Sequence, residues 1–307
     1  MTVNNNNNSK YSINCIIWNC GGITKKTKSS VEKIKHLQNT INKNFDILCL
    51  VETHVNKKTP PTELIEDYKI THNVIISEDE NEKYSGIIII INKMYNINKI
   101  NDIRPGRVCN IILENPGTNK ILNLTAIYGY SGQAEKNANL ILKDIGQSLK
   151  NSQTESKILL GDFNFIEEQI DTKSKNTMTN QNLELAKSFE NIKKITNIDD
   201  CFRLKNPNLI RYTYSKGIAI RTRIDRCYAT PDLTEHPIKT RFLPSLGDKD
   251  HKILCTSFSS EIEMGPGQWK LNTSILKDKA YIKLISDKIE LFKLQKKKFL
   301  ETKNWMH

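Results

Sequence analysis

The sequence predicts an α/β domain that has more strands than helices and at least one mixed sheet. Its 307 residues are enough to bury a large core. Short apolar runs of strand length recur along the chain, and a few amphipathic segments of helix length lie between them. Several neighbouring runs are joined by segments too short for a crossover helix, so we do not expect a purely parallel sheet.

The strand candidates share the length and apolar character of buried strands. They lie at 13–18, 47–51, 73–76, 86–91, 108–114, 121–127, 157–160, 223–228, 239–243 and 253–258. The helix candidates lie at 29–43, 134–149 and 182–194.

Composition changes at the two ends of the chain. Residues 1–10 are an Asn-rich segment that predicts disorder. Residues 11–262 hold all the strand candidates and predict one domain. The sequence MGPGQ at 264–268 marks the end of this domain. Residues 263–307 are predicted to form a basic tail.

Within the tail, apolar residues recur at three- and four-residue spacing, which predicts an amphipathic helix over 273–299. These residues are Ile282, Ile285, Ile289 and Phe292. Two interpretations remain open. The lysines on its other faces contact DNA, or they form a solvated face on a helix that packs its apolar stripe against the domain or another partner.

The net charge of +12 is compatible with a polyanionic partner. Half of it comes from residues 264–307, which hold ten Lys and four acidic residues, and Asn, Lys and Ile are abundant throughout. The charge therefore permits nucleic-acid binding without indicating it.

Cysteine spacing and hydropathy exclude several classes of protein. The seven cysteines show no CxxC pair or metal-ligand spacing, which predicts reduced thiols rather than a disulfide framework or a zinc site. No apolar run approaches the roughly 18 residues of a membrane helix, and the N-terminus lacks the apolar segment of a secretory signal. We expect a soluble intracellular protein with no membrane partner.

The stretch KILLGDFNF places an acid and an amide, Asp162 and Asn164, directly after an apolar run and a glycine. One interpretation is an Asx turn, in which these side chains bond their own loop. The other is a functional site at a strand end. Similar junctions recur along the chain, each with a polar side chain next to an apolar run, at Asn19, Glu52, Tyr128, Asp225 and the pair Asp250 and His251.

The order of these motifs resembles the endonuclease/exonuclease/phosphatase superfamily of metal-dependent phosphoesterases. The resemblance covers about residues 12–260 and rests on the Asn of WNCGG, the Glu of VETH, the GDFN block, the Asp of RID and the DH pair. It implies a four-layered α/β sandwich of two packed mixed β-sheets flanked by helices. Families with this fold differ in substrate, so the fold alone names no target.

The resemblance also implies a metal site. Glu52 is the main ligand, with Asn19 beside it and Asp250 near enough to help. The implied ion is Mg²⁺, with Mn²⁺ as a substitute. Mg²⁺ suits phosphodiester hydrolysis because it neutralises phosphoryl oxygens while needing only one or two protein carboxylates.

The other motif residues are implied to act on water and phosphate. Asp162, helped by Asn164, orients or deprotonates the attacking water. His251 bonds the scissile phosphate, and Asp225 holds its ring and favours its protonated form. Tyr128 supplies a phenol hydrogen bond to the phosphate.

Each assignment has a structural alternative. Tyr128 is compatible with a half-buried strand aromatic, and Asp225 with an ion-pair partner of Arg223 or Arg226. His251 is compatible with a surface pair of little energetic weight.

One position departs from the family. Lys249 stands where the family commonly has Ser before the DH pair, which removes a phosphate-side hydrogen bond but offers a DNA contact.

The tail narrows the class. The sequence GPGQWKLNTSIL at 265–276 resembles the junction that follows the endonuclease domain in the second open reading frame of non-LTR, LINE-type retrotransposons. We therefore expect an endonuclease portion separated from a reverse transcriptase, acting in the nucleus on double-stranded DNA, with its oligomeric state open.

The leading hypothesis is a Mg²⁺-dependent nickase that leaves 3′-hydroxyl and 5′-phosphate ends for target-primed reverse transcription. The alternatives are an abasic-site repair endonuclease, an inactive retroelement relic that only binds nucleic acid, and a phosphatase of lipid or inositol headgroups.

The segment Arg211 to Asp225 predicts a hairpin that turns at Gly217 and ends at the catalytic acid. In the LINE-type endonucleases that the chain resembles, the equivalent hairpin lies beside the active site and helps to select the nicking sequence. The implied DNA contacts are Thr213, Lys216, Arg221, Arg223 and Lys249. The alternative is a solvated basic turn.

Overall fold

The computed structural model describes most of the chain in two compact units, Met1–Ile262 and Glu263–His307. The described residues are 12–23, 28–41, 44–56, 58, 60–150, 156–173, 179–217, 219–236, 238–244, 250–259, 282–290 and 293. The Asn-rich segment, the boundary at 264–268, Lys249 and much of the predicted tail helix lie outside them.

The strands of the first unit are numbered in chain order. They are β1 (Ser12–Asn19), β2 (Ile47–Val51), β3 (His72–Ser77), β4 (Ile87–Asn92), β5 (Asn96–Arg104), β6 (Val108–Asn115), β7 (Lys120–Tyr128), β8 (Ser156–Asp162), β9 (Asp199–Asp200), β10 (Tyr214–Lys216), β11 (Ile220–Thr222), β12 (Asp225–Ala229), β13 (Ile238–Leu243) and β14 (Ile253–Ser259).

The α-helices of this unit are numbered in the same way. They are α1 (Lys28–Thr40), α2 (Thr62–Tyr68), α3 (Ala134–Asn139), α4 (Gly146–Lys150), α5 (Asn180–Thr196), α6 (Cys201–Lys205) and α7 (Pro231–Thr234). A π-helical turn, Leu140–Ile145, joins α3 to α4, and a 3₁₀ turn spans Gln169–Asp171.

The strands form two six-stranded mixed sheets and a small hairpin. Sheet 1 has the order β13-β14-β1-β2-β4-β3, and its β1–β2 pair is parallel. Sheet 2 has the order β5-β6-β7-β8-β12-β9, and its β7–β8 pair is parallel. The hairpin pairs β10 with β11. The predicted mixed topology is confirmed.

The central strands of both sheets are covered on both faces. One apolar cluster lies between them and takes side chains such as Cys49 from sheet 1 and Leu160 from sheet 2. A second packs the outer face of sheet 1 against α1 and α2, and a third packs the outer face of sheet 2 against α5 and the π-helical turn. The layers therefore run helix, sheet, sheet, helix, and the four-layered sandwich is confirmed.

The continuous Ile run at 87–91 follows from this layering. Ile87 and Ile89 face the core between the sheets, whereas Ile88 and Ile90 face the helices, because successive side chains of a strand point to opposite faces. A strand covered on both sides is apolar at every position.

The sequence missed β5, because this edge strand is mostly exposed and therefore carries no apolar run. It also missed α2, which is only seven residues long. The predicted strand at 223–228 begins at Asp225 instead, because Arg223 and Ile224 lie in the link between the hairpin and β12.

In the second unit the structure describes a helix at 282–290, inside the predicted range. Its described side chains are all exposed, including Ile282, Ile285 and Ile289. Across the described parts of both units, no helix is long and apolar enough to span a membrane.

Candidate active site

Three of the sequence-predicted residues meet on neighbouring strands of sheet 2. The parallel register of β7 and β8 places Tyr128 beside Asp162, and the antiparallel register of β8 and β12 places Asp162 beside Asp225. All three are buried, with both carboxylates at most 1 % exposed. Segments far apart in sequence therefore deliver a phenol and two acids to one end of one sheet.

Gly161 permits this close approach of the strands. It has a φ of +141°, and a Cβ at this position would lie 2.0 Å from the carbonyl oxygen of Ile127. The strand β8 continues through Asp162, and the glycine is needed because a side chain would collide with β7.

Asp162 and Asn164 form the Asx turn and also face the site. The Oδ1 of Asp162 accepts a hydrogen bond from the backbone N–H of Asn164 at 2.9 Å. The side chain of Asn164 donates to the carbonyl of Gly129 at 2.9 Å. The second oxygen of Asp162, Oδ2, accepts a hydrogen bond from Asn19 instead. The Asx turn is therefore confirmed, and the functional interpretation of GDFN stays a prediction.

Sheet 1 supplies the opposite side of the site. Asn19 ends β1, and Glu52 follows its parallel neighbour β2 directly. The Nδ2 of Asn19 donates to Glu52 Oε2 at 2.8 Å and to Asp162 Oδ2 at 2.8 Å. One amide thus links a carboxylate of sheet 1 to a carboxylate of sheet 2.

His251 completes the group just before β14. Its Nδ1 lies 2.9 Å from Asp225 Oδ2, and its Nε2 lies 3.9 Å from Asp162 Oδ2. The side chain is 11 % exposed, so the alternative of a surface pair is wrong. The proposed partners of Asp225, Arg223 and Arg226, form ion pairs with other acids.

Burial and charge shift the pKa values of the central pair. Burial, together with the like charge of Asp225, raises the pKa of Asp162 from 3.8 to about 7. Burial lowers the pKa of His251, but Asp225, Asp162 and Glu52 outweigh it and raise that pKa from 6.5 to about 9. A carboxyl group that titrates near neutrality therefore lies beside an imidazolium.

Glu52 has the opposite tendency. Burial raises its pKa, but His54, Asn19 and Tyr128, whose polar groups face the carboxylate, outweigh burial, and the net pKa lies below its usual value. Glu52 is thus ionised at neutral pH. Burial beside acids raises the pKa of Tyr128, whose phenol stays protonated and faces Glu52.

The donor set fits a hard divalent cation. Glu52 offers an ionised carboxylate, and Asp162, Asp225 and His251 hold ligand-type atoms within 4.8 Å of one another. Asp225 Oδ1 is buried and accepts no hydrogen bond among the described residues. His251 already gives Nδ1 to Asp225, and a protonated imidazole cannot ligate a metal, so the oxygen atoms are the better ligands.

Asn19 and Asp250 are less clear ligands than the sequence suggested. The Oδ1 of Asn19 accepts from the backbone N–H of Gly21, so its amide nitrogen rather than its oxygen faces Glu52. Ligation through Asn19 requires the amide to turn over. Asp250 is exposed at the rim of the cleft.

These residues line an open cleft of about 630 Å³. Its polar floor is formed by Asn19, Glu52, Tyr128 and His251. Apolar side chains of Trp18, Phe165, Ile166, Ile220 and Ile224 form part of its walls.

The predicted hairpin exists as β10 and β11, but two of its predicted DNA contacts are wrong. Thr213 is 1 % exposed, and its Oγ1 accepts the backbone N–H groups of Ile224 and Asp225, each at 3.1 Å. It therefore holds the start of β12 instead of reaching DNA. Lys216 and Arg221 are exposed on the hairpin.

Arg223 is also buried, at 1 % exposure, and cannot reach a phosphate. Its guanidinium pairs with Asp171 at 2.8 Å and with Asp200 at 2.6 Å. Its backbone N–H donates to the carbonyl of Asp171. This buried ion network fastens the hairpin to the 3₁₀ turn.

Sequence reasoning missed the residues around Tyr128. The guanidinium of Arg107 lies over the rings of Tyr128 and Tyr130, with its Cζ 4.3 Å from each centroid. The only signal was an arginine after a turn-forming Pro-Gly pair, which by itself indicates a loop.

The fold and site together define a four-layered α/β sandwich with acidic, amide and imidazole groups where the ends of its two sheets meet. Residues 16–245 match the Endonuclease/Exonuclease/phosphatase family. The chain belongs to this family, whose members are in general hydrolytic nucleases and phosphatases and whose nucleases typically depend on a divalent metal ion.

Solved structures share the fold at low sequence identity. An AP endonuclease from Archaeoglobus fulgidus is 19% identical with a TM-score of 0.62, covering 80% of this chain and 99% of that one. The AP endonuclease LMAP from Leishmania major is 17% identical with a TM-score of 0.61, covering 81% and 88%. Truncated TDP2 of Caenorhabditis elegans is 14% identical with a TM-score of 0.58, covering 81% and 97%. No curated protein is significantly similar in sequence.

Proposed function

We propose that the chain is a Mg²⁺-dependent endonuclease that nicks double-stranded DNA and leaves 3′-hydroxyl and 5′-phosphate ends. The observation that carries this proposal is the amide of Asn19, which bonds Glu52 and Asp162 at 2.8 Å each. It brings the main candidate metal ligand to the candidate base across the gap between the two sheets.

The residues divide the work of hydrolysis. Asp162 holds the attacking water and accepts its proton as the water oxygen bonds to phosphorus. The bond from phosphorus to the 3′ oxygen breaks, and that oxygen leaves with a proton from solvent. His251, held by Asp225, donates a charged hydrogen bond to a non-bridging phosphate oxygen. Tyr128 donates a neutral one, and Asn164 helps Asp162 to hold the water by bonding its other carboxylate oxygen.

Glu52 would hold the cation, with Asp250 at the cleft rim and Asn19 after its amide turns over. When bound, Mg²⁺ supplies charge neutralisation at the phosphoryl oxygens and at the leaving oxygen. Mn²⁺ substitutes because it accepts the same oxygen ligands.

The experiment is conversion of supercoiled plasmid to open circles. We expect nicking with Mg²⁺, loss of nicking with a chelator, and loss of at least about a thousandfold in Asp162→Ala. Asp199→Ala, which removes an exposed carboxylate of β9, is the matched control and keeps activity. DNA ligase reseals only 3′-hydroxyl/5′-phosphate nicks, so failure to reseal would contradict the proposed ends.

We further propose that the nick primes target-primed reverse transcription in the nucleus, by a reverse transcriptase carried in a longer parent protein. The support is the resemblance of GPGQWKLNTSIL to the junction in LINE-type elements. A non-LTR reverse transcriptase supplied with its template RNA should extend the nicked plasmid. Absence of extension on resealable nicks would remove this role and leave the nuclease.

Abasic-site repair is the second candidate, and the shared fold with two AP endonucleases favours it. A duplex with one tetrahydrofuran residue distinguishes the two. Incision at that residue at least about a hundredfold faster than anywhere in intact duplex would establish repair. If the plasmid is bound but neither DNA is cut, the chain is a binding relic.

A further inference from the structure

Arg107 is a buried arginine next to the candidate active site, and it contacts the segment that carries Tyr128. It follows the turn after β5 and is 8 % exposed. Its Cζ lies 4.3 Å from the ring centroid of Tyr128 and 4.3 Å from that of Tyr130. A guanidinium at this distance from an aromatic face is in attractive cation–π contact, which is strengthened by burial.

The polar atoms of Arg107 are held from two sides. Its Nε donates to Glu82 Oε2 at 2.8 Å. Its Nη1 donates to the carbonyl of Gly129 at 3.1 Å. Its own carbonyl accepts the backbone N–H of Tyr128 at 2.8 Å. Ring, side chain and backbone contacts thus all hold the same segment.

The carbonyl of Gly129 extends this arrangement to a second site residue. It accepts hydrogen bonds from both Arg107 and the side chain of Asn164. The backbone of Gly129 also packs tightly against Phe163, because a Cβ on Gly129 would lie 2.3 Å from the carbonyl oxygen of Phe163. A shift of Gly129 would therefore move Tyr128 and Asn164 together.

We propose that Arg107 is a positioning residue that fixes the phenol of Tyr128 in the active site, with Glu82 holding its guanidinium in place. It does not bind DNA itself, because its side chain is buried and two of its nitrogen atoms already donate to Glu82 and Gly129. This inference rests on the proposed function for its kinetic test only.

The test is a double-mutant cycle measured on plasmid nicking with Mg²⁺ over a range of DNA concentrations, which gives both kcat and KM. Arg107→Met should lower kcat about ten- to a hundredfold and change KM less than about twofold. Tyr128→Phe should also lower kcat. Adding Tyr128→Phe to Arg107→Met should cost less than about twofold more, since Arg107 acts through that phenol. The proposal would be overturned if the double variant lost kcat by the product of the two single losses. It would also be overturned if Arg107→Met acted mainly by raising KM.

Two further variants separate positioning from folding. Arg241→Met removes an exposed arginine of β13 in the other sheet, and it should keep kcat. Arg107→Lys keeps the charge near Glu82 but not the planar group, and it should restore the melting temperature more fully than kcat. Equal recovery of both would make Arg107 only structural.

Failure of the proposed nuclease function can be distinguished from failure of the positioning role of Arg107. If the parent chain does not nick DNA, the same cycle is run on hydrolysis of bis(p-nitrophenyl) phosphate, and ring ¹³C–¹H NMR of Tyr128 is recorded in the metal-free protein. We expect Arg107→Met to shift and broaden the Tyr128 ring signals and Arg241→Met to leave them in place. Unchanged signals in Arg107→Met would refute the positioning role whatever the substrate is.

Discussion

The Nδ1 of His251 lies 2.9 Å from Oδ2 of Asp225. His251 lies just before β14 of sheet 1, and Asp225 is the first residue of β12 in sheet 2, so the contact links the two sheets. It also stabilises the charged form of the ring, and its loss therefore has a measurable consequence at the ring itself.

In Asp225→Asn, the pKa of His251 should fall from about 9 by at least about one unit. Burial lowers that pKa, and Asp225 is the largest of the opposing contributions. The measurement is NMR titration of the imidazole Cε1–H signals in metal-free protein, with His251→Gln for assignment. Asp250→Asn is the control, and it should move the midpoint much less. A midpoint that stays near 9 in Asp225→Asn would show that Asp225 does not hold the charge.

Asp162→Asn should abolish nicking yet leave the metal-free protein no less stable at pH 8. The pKa of Asp162 is raised to about 7, so ionisation is harder in the folded state. The carboxylate therefore costs folding free energy that appears as pH rises above about 4. We expect the unfolding free energy of the variant at pH 8 to equal or exceed that of the parent by about 1 kcal/mol. Urea unfolding at pH 5 and pH 8 measures this, and a loss above 2 kcal/mol would be contrary to it.

Asp171→Asn should destabilise the domain by about 3 to 5 kcal/mol, because it leaves Arg223 buried with one partner fewer. Burial raises the pKa of Asp171, but Arg223 and Arg226 outweigh it, so the folded pKa lies below 3.8. The stabilisation is then complete above about pH 4 and is lost as pH falls through the folded pKa. Denaturant curves of parent and variant should converge in acid. Glu66→Gln, which breaks an exposed pair with Lys69, is the control and should cost less than about 0.5 kcal/mol.

Gly161→Ala should prevent stable folding or lower the melting temperature by more than about 10 °C. The added Cβ meets a backbone oxygen at 2.0 Å, and backbone in a sheet centre cannot yield. Gly132→Ala is the matched control, because that glycine also has a positive φ but has nothing within 4 Å of an added Cβ. It should cost about 1 kcal/mol. Equal effects at both sites would show that φ strain, not the collision, governs Gly161.

Lys216→Ala with Arg221→Ala should keep Mg²⁺-dependent nicking but redistribute nick positions on the same plasmid. Both side chains are exposed on the hairpin, so each is free to neutralise a phosphate. The slope of log affinity against log salt should fall by about 2. Primer extension maps the nicks, and Lys99→Ala with Lys194→Ala removes two exposed charges elsewhere as the control. Identical positions and slope would exclude the hairpin from target selection.

Deleting residues 272–307 should leave nicking intact and reduce the salt slope, if the tail lysines contact phosphates. The alternative from the sequence is a helix that docks on protein. An unchanged slope in the shortened chain would favour that alternative.

The sequence by itself determined the fold class and predicted most of the residues of the candidate site. Apolar runs of strand length, such as the one at Ile87 to Ile91, are local features that need no tertiary knowledge. Polar residues at the ends of such runs, including Asn19, Glu52 and Asp162, follow from the same pattern. The edge strand β5 was not predicted from the sequence, because an exposed strand has no continuous apolar run.

The tertiary structure alone decided which charged side chains are exposed and which are buried. Arg221 and Arg223 are two residues apart and read alike in sequence, yet one is exposed and the other is buried between Asp171 and Asp200. Those acids come from elements about 23 and 52 residues away. The pairing of Arg107 with Tyr128 has the same origin. Burial and ion pairing depend on which distant segments meet, and that information is not local to any motif.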